Sequence, residues 1–156
     1  MYDPQKVHYI AVTGIVVKDG KFLITKRAAS EKAFPNRWTV PGGKLEVDNY
    51  AKREKDTPDS WSNIFEDLLK REIEEEVGLK VKNIRYLTSL TYMRPDGIPT
   101  LVVSFFADHA EGEVKLCSAL TEYAWVTSQE ARKYDLIGSI QEELDKIDKI
   151  LSKTKT

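Results

Sequence analysis

The stretch from Phe65 to Gly78 constrains this chain more than any other. Phe65, Leu69, Ile73 and Val77 recur every four residues, and Trp61, Ile64 and Leu68 extend the set, so the spacing predicts an amphipathic helix. Thr57-Pro58 supplies an N-cap residue and a proline at the first helical position, Asp59 puts acidic charge in the first turn, and Gly78 supplies the stop. At ~100° per residue, Glu72 and Glu76 fall within about 20° of Phe65, on the face that meets the rest of the fold. Glu75 flanks them beside Leu68, and Glu74 points away to water. A run of glutamates usually marks a helix's wet face. Here two of them share the apolar side, where unpaired carboxylates are costly to bury and repel each other. They need protons, basic partners or a divalent cation. Oxygen donors at i, i+3 and i+4 suit a hard cation such as Mg²⁺. Lys70 and Arg71 neutralise part of the charge but project elsewhere on the helical wheel.

The remaining chain predicts a sheet for this helix to cover. "HYIAVTGIVV" and "KFLITKR" are rich in β-branched residues and flank Asp19-Gly20, a hairpin signature. "RWTVPGGKLE" reads as a short extended piece broken at Pro41-Gly42-Gly43. Val47–Asp56 is polar without a period and reads as a loop. "NIRYLTSLTYM" and "TLVVSFFADH" read as strands around the turn "RPDGIP", and "EYAWVT" as a short strand. "SQEARKY" reads as a short helix capped by Ser128, and Ile137–Leu151 as a terminal helix. No repeat or linker divides the chain, so 156 residues form one domain, 1–156, with a mixed sheet between helices.

Composition excludes several classes. With 41% hydrophobic and 31% charged residues, the sequence is that of a globular protein. A net charge of -1 argues against a broad nucleic-acid surface but leaves room for a small phosphorylated ligand. Cys117 is the single cysteine, which excludes an internal disulfide framework. No apolar run has signal-peptide or membrane-span length, and a cytoplasmic location is the expectation.

Pro41-Gly42-Gly43 is either a plain tight turn or a place where the backbone approaches a ligand closely. Lys44 is placed to meet a phosphate as a point charge. Arg27 and Arg37 read either as a phosphate clamp or as surface charge. Trp38, Phe34 and Tyr92 read either as base-stacking surfaces or as core. His8 and His109 have no metal-ligand spacing and read as non-catalytic. The terminal helix carries an apolar stripe that either packs on the sheet or forms a homodimer.

"REIEEEVGL", Arg71–Leu79, resembles the second half of the Nudix box, matching Arg-Glu-apolar-x-Glu-Glu-x-Gly-apolar at every specified position. Gly43 resembles the glycine that opens the box, and "RW" with "PGG" and "EYAWV" also fit the family, so the likeness runs roughly from Tyr9 to Glu130. One departure is clear. The box glutamate expected between these halves falls on Asn49 or Asn63, depending on the end from which it is counted, and the intervening segment is about fourteen residues too long. The excess fits the loop at about 47–57. Glu46, Asp48, Glu54 and Asp56 are candidates to replace the absent glutamate.

The resemblance implies an α/β/α sandwich and a Mg²⁺- or Mn²⁺-dependent pyrophosphohydrolase acting on a nucleoside diphosphate linked to another group. By the same resemblance Glu72, Glu75 and Glu76 are metal ligands with the Gly43 carbonyl, Arg71 orients the glutamates, and Glu72 or a loop carboxylate is the base. Glu122 is either a further ligand or base, or a surface residue. Pro95, sixteen positions beyond Leu79, resembles the pattern of ADP-ribose pyrophosphatases, although "RPDG" also reads as an ordinary turn. A nucleoside triphosphate is the equal alternative. The missing box glutamate leaves open a second class of function, a nucleotide sensor without turnover. Replacing 47–57 by a short linker is expected to change KM or substrate preference. Identical steady-state kinetics on every substrate would refute a role for the insertion.

Overall fold

The computed structural model describes residues 1–153; the last three residues of the domain assigned above lie outside the described residues. Asp19 and Gly20 both take positive φ, 51° and 76°, as a two-residue hairpin turn of type I′ requires. This turn folds β1 (Tyr9–Lys18) onto β2 (Lys21–Arg27), with Val17 opposite Phe22. β3 (Trp38–Thr39) and β4 (Gly42–Lys44) follow, then helix α1 (Ile64–Val77). The long hairpin β5 (Lys80–Met93) and β6 (Pro99–Glu111) leads to β7 (Leu120–Val126), the single-turn α2 (Ser128–Ala131) and α3 (Ile140–Lys153).

The sheet runs β3-β2-β1-β6-β5, with β7 also on β2 and β4 also on β1. β1 and β6 are parallel and the other pairs antiparallel, so the sheet is mixed. β1 meets two strands along one edge. β2 pairs with its end, and β4 with its start, through Ala11↔Lys44, Val12↔Gly43 and Thr13↔Gly42. The sheet forks there, and Gly14 N–H bonds the Pro41 carbonyl at 2.9 Å across the fork. Alternate residues of β1 and β2 feed two separate cores. Val12, Val16 and Leu23 pack beneath α1 with Leu68, Leu69, Ile73 and Val77. Ile15, Val17, Phe22 and Ile24 pack beneath α3 with Ile140, Leu144 and Ile147. The result is an α/β sandwich, as the pattern of strands and helices predicts.

Three boundaries differ from the sequence expectation. α1 starts at Ile64 rather than at Pro58, and Trp61 lies outside it. Residues 57–62 are drawn instead into closing the insertion on itself. Arg53 bonds Asp56 and the Ser62 carbonyl, each at 2.8 Å, Asp56 accepts from Ser62 N–H at 2.8 Å, and the Trp61 indole N–H reaches the Arg53 carbonyl at 2.9 Å. Tyr50 packs on Trp61 with ring centroids 5.2 Å apart. These contacts outweigh one N-cap and one proline. α2 is capped by Thr127 rather than Ser128, in a reciprocal capping box with Glu130. The terminal helix begins at Ile140, because the Ile137 N–H is taken by the Trp38 carbonyl at 2.9 Å. Among the described residues no helix is long and apolar enough to cross a membrane.

α1 lies so close to β1 that a Cβ on Gly14 would stand 2.5 Å from Cδ1 of Leu69, which is fully buried. Gly14→Ala therefore overpacks this seam and is expected to cost ~1–3 kcal/mol. Urea unfolding measures it, and an unchanged midpoint would show that the seam yields.

Candidate active site

Helix α1 carries its carboxylates against the glycines of β4. The Gly42 N–H donates to Glu76 Oε2 at 3.3 Å. A Cβ on Gly43 would stand 2.5 Å from Cδ of Glu72 and 2.8 Å from its Oε1, so only glycine admits that carboxyl group against the strand. Glu74 is exposed, as the helical phase requires, while Glu72 and Glu76 are half-buried. The C-terminal end of α1 is tied down by the β6–β7 loop. Cys117 N–H bonds the Glu76 carbonyl at 3.0 Å and Lys115 N–H bonds the Val77 carbonyl at 2.9 Å, which satisfies acceptors the helix leaves open. Gly78 ends the helix at φ 71°.

Burial dominates the electrostatics. It pushes Glu76 up to about 7; the charges of Glu72 and Glu75 add to it, and the Gly42 hydrogen bond and the Arg27 charge oppose it. Glu72 is also raised, first by burial, then by Glu75 and Glu46, with Arg71 opposing. Arg71 lies 3.9 Å from Glu72 and 3.8 Å from Glu75, too far for tight pairing with either. Glu75 is 61% exposed and turned toward Arg71. Among the described residues no three His, Cys, Asp or Glu side chains converge into metal-ligand geometry. The donor set nevertheless fits a divalent cation in kind: like-charged carboxylates that raise one another, beside a glycine whose missing Cβ leaves its backbone open to them.

A cleft of ≈ 230 Å³ opens in front of these groups, lined by Glu76, Gly42, Gly43, Lys44, Arg27 and Glu31 among others. Arg27 is held in place by the Ala33 carbonyl at 2.7 Å and by Glu31 at 3.5 Å. Lys44 Nζ sits 5.5 Å from the centroid of the Tyr9 ring. Four residues singled out from the sequence, Arg37, Trp38, Glu122 and Pro95, stand elsewhere. Arg37 forms a two-point ion pair with Asp135, at 3.1 and 3.2 Å, and bonds the Leu136 carbonyl, fixing the approach to α3. Trp38 packs edge-on against Tyr134 at 4.7 Å, at the margin of the α3 core. Glu122 pairs with Lys26 at 3.1 Å, within β7 rather than on a loop. Lys26 shares its strand face with Ile24 and Phe22, so this pair stands on the α3 side of the sheet, away from α1. Pro95 sits in a tight turn closed by Gly97 N–H to the Arg94 carbonyl at 2.9 Å and lines neither this cleft nor the one beside it.

Sequence reasoning missed Glu31, which reaches the site only because the loop after β2 folds back. It also left four candidates for the absent glutamate. Asp56 is engaged by Arg53 and held below the ordinary carboxylate range, first by the Ser62 N–H, and Asp48 faces Lys52 at 3.7 Å. Glu46 is the one of the four whose charge is felt at Glu72.

Comparisons with known proteins identify the family and the fold. The NUDIX domain family model matches residues 8–146. Nucleoside triphosphatase NudI of Escherichia coli K12 is 26% identical over 136 residues, covering 80% of this chain and 86% of the relative. Among solved structures, a MutT NUDIX hydrolase from Burkholderia pseudomallei superposes with a TM-score of 0.71 at 19% identity, covering 91% of this chain and 99% of that one. The NUDIX domain of Shewanella oneidensis NrtR, solved with ADP-ribose, does so with a TM-score of 0.71 at 17% identity, covering 96% and 94%. The chain belongs to the NUDIX domain family, and by that membership it is a Nudix pyrophosphohydrolase, a class that uses divalent metal.

The raised Glu76 sets a pH dependence. Its folded value of about 7 exceeds the ordinary 4.5, so between these pH values the folded chain retains a proton that the unfolded chain has released. This stabilisation is fully present below pH 4.5 and is lost as pH rises through about 7. In chelator, wild type is expected to lose up to ~3 kcal/mol across that window relative to Glu76→Gln. Thermal unfolding of both at about pH 5 and about pH 8 checks it. A gap that does not widen with pH would place Glu76 in water.

Proposed function

We propose that this protein hydrolyses the diphosphate linkage of a nucleoside triphosphate, using Mg²⁺ or Mn²⁺. The observation that carries this is the meeting of Glu72 with Gly43 and of Glu76 with Gly42, beside a cleft lined by Glu76, both glycines, Arg27 and Lys44. Glu72, Glu75, Glu76 and the Gly43 carbonyl are the groups that would hold the cation, with Glu46 beside them in place of the absent box glutamate. A divalent cation, when bound, neutralises charge on the diphosphate and acidifies water.

The chain's own residues do the rest. Arg27 and Lys44 bring positive charge to the phosphates, and Arg27 is held for this by the Ala33 carbonyl and Glu31. Arg71, near both Glu72 and Glu75, steadies their carboxyl groups. Glu72 accepts the proton of the water that attacks phosphorus. Half-burial and the neighbouring carboxylates raise its affinity for that proton above that of an ordinary carboxylate. The triphosphate reading is supported by the NudI relatives, which are named as nucleoside triphosphatases. The ADP-ribose complex of the NrtR domain supports the rival, a nucleoside diphosphate sugar. Both are small nucleotides rather than nucleic-acid polymers.

Turnover of a panel containing nucleoside triphosphates, ADP-ribose, NADH and dinucleoside polyphosphates in Mg²⁺ tests the proposal. Glu72→Gln and Glu76→Gln are each expected to lower kcat about 100-fold or more with the fold intact. Binding of a nucleotide without turnover, in Mg²⁺ and Mn²⁺ alike, would instead favour a sensor.

A further inference from the structure

Arg71 stands between two acidic residues on one stripe of α1, Asp67 four positions before it and Glu75 four positions after. At this spacing an acidic residue N-terminal to a basic one is the favoured order, so the helix by itself would pair Arg71 with Asp67. The structure reverses that preference. Arg71 lies 3.8 Å from Glu75 and 3.9 Å from Glu72, while Asp67 faces Arg53, 3.8 Å away. Among the described residues no ion pair joins Asp67 to Arg71.

The reversal originates in the insertion. Arg53 is fixed before it meets Asp67. Its guanidinium donates to Asp56 and to the Ser62 carbonyl, each at 2.8 Å, and its own carbonyl accepts from the Trp61 indole N–H at 2.9 Å. Arg53, Asp67 and Arg71 together border a small cavity of ≈ 40 Å³ between the insertion and α1. None of the three lines the cleft that Glu76 lines, so Arg53 is placed to act on the helix and not on a ligand in that cleft. These ion pairs are part-exposed and weak. Removing one therefore moves Arg71 between its acidic neighbours and leaves the helix folded.

We propose that Arg53 is a positioning residue for the carboxylates of α1: by occupying Asp67 it leaves Arg71 to Glu72 and Glu75. This rests on the hydrolase reading above. Without Arg53, Asp67 regains its favoured partner one turn along. Arg71 then turns toward the start of the helix, and the two glutamates lose the positive charge between them. The insertion thus contributes to the site through one side chain that touches none of the site's own groups.

Two measurements test this, one of them independent of turnover. With the full chain in chelator, the Nε–H resonance of Arg71 is followed by NMR. Arg53→Gln is expected to shift it, Asp67→Asn alone to leave it in place, and the double variant to return it to the wild-type position. In Mg²⁺, with the nucleotide that wild type turns over fastest, Arg53→Gln is expected to lower kcat about twofold with KM unchanged. Asp67→Asn should match wild type, and the double variant should recover its kcat. Arg53→Gln also opens the closure of the inserted loop, but a loosened loop is not mended by removing a charge from α1, so the recovery separates positioning from folding. An Arg71 resonance that Arg53→Gln leaves in place, or a double variant that stays at the Arg53→Gln level in either measurement, would overturn the assignment. A resonance that shifts and returns as expected, in a chain that turns over no nucleotide, would support it and count against the hydrolase proposal alone.

Discussion

The structure depends on one close approach: the carboxyl groups of α1 against the backbone of Gly42-Gly43. Burial drives the helix onto the sheet through Leu69, Ile73 and Val77, and the same helical period that aligns these residues brings Glu72 and Glu76 down with them. Glu72 then meets Gly43 too near to admit a Cβ, and Glu76 accepts from the Gly42 N–H. Neither is matched by a close cation within the chain, since Arg71 stands nearly 4 Å off and Arg27 reaches Glu76 only through space. The fold therefore holds two acidic groups that no close basic side chain matches. That surplus separates a site from a wet helix face.

The fork of the sheet makes the approach possible. Because β2 occupies only the end of β1, its beginning is free for β4, and the short Gly42–Lys44 strand enters where a longer one would be excluded. The close of α1 is fixed by a different part of the chain, the loop that carries Lys115 and Cys117. Three segments far apart in sequence thus set the position of one carboxylate. The same fork opens the cleft that Glu76 lines on one side, and on the other, through Thr13, it adjoins the apolar cleft beside α3.

The insertion shows how local signals lose to local closure. Thr57-Pro58-Asp59 has the composition of a helix start, and the chain uses it otherwise because Arg53 gathers Asp56 and the Ser62 carbonyl into a closed loop. Asn63 then becomes the N-cap of α1, in the left-handed region and without a side-chain cap hydrogen bond. Arg53 also lies 3.8 Å from Asp67, which links the loop to the first turn of α1. A motif interrupted in sequence is therefore continuous in space: Glu46, before the insertion, still exerts its charge on Glu72 after it.

The sequence by itself determined the hairpin at Asp19-Gly20, the helix through Val77, its stop at Gly78, and the side of the helix on which each glutamate falls. These follow from turn chemistry and helical period, which act over a few residues. The candidate carboxylates were legible for the same reason, and Gly43 through its likeness to the opening glycine of the Nudix box. Tertiary structure alone decided which basic and aromatic residues share the site. Arg27 and Arg37 look alike in sequence, yet one lines the cleft and the other locks Asp135. Glu122 and Glu143 look alike too, yet one pairs with Lys26 across two strands and the other is buried at the edge of a cavity. Such choices depend on which segments meet across the fold, and a long-range meeting leaves no periodic trace in the chain that makes it.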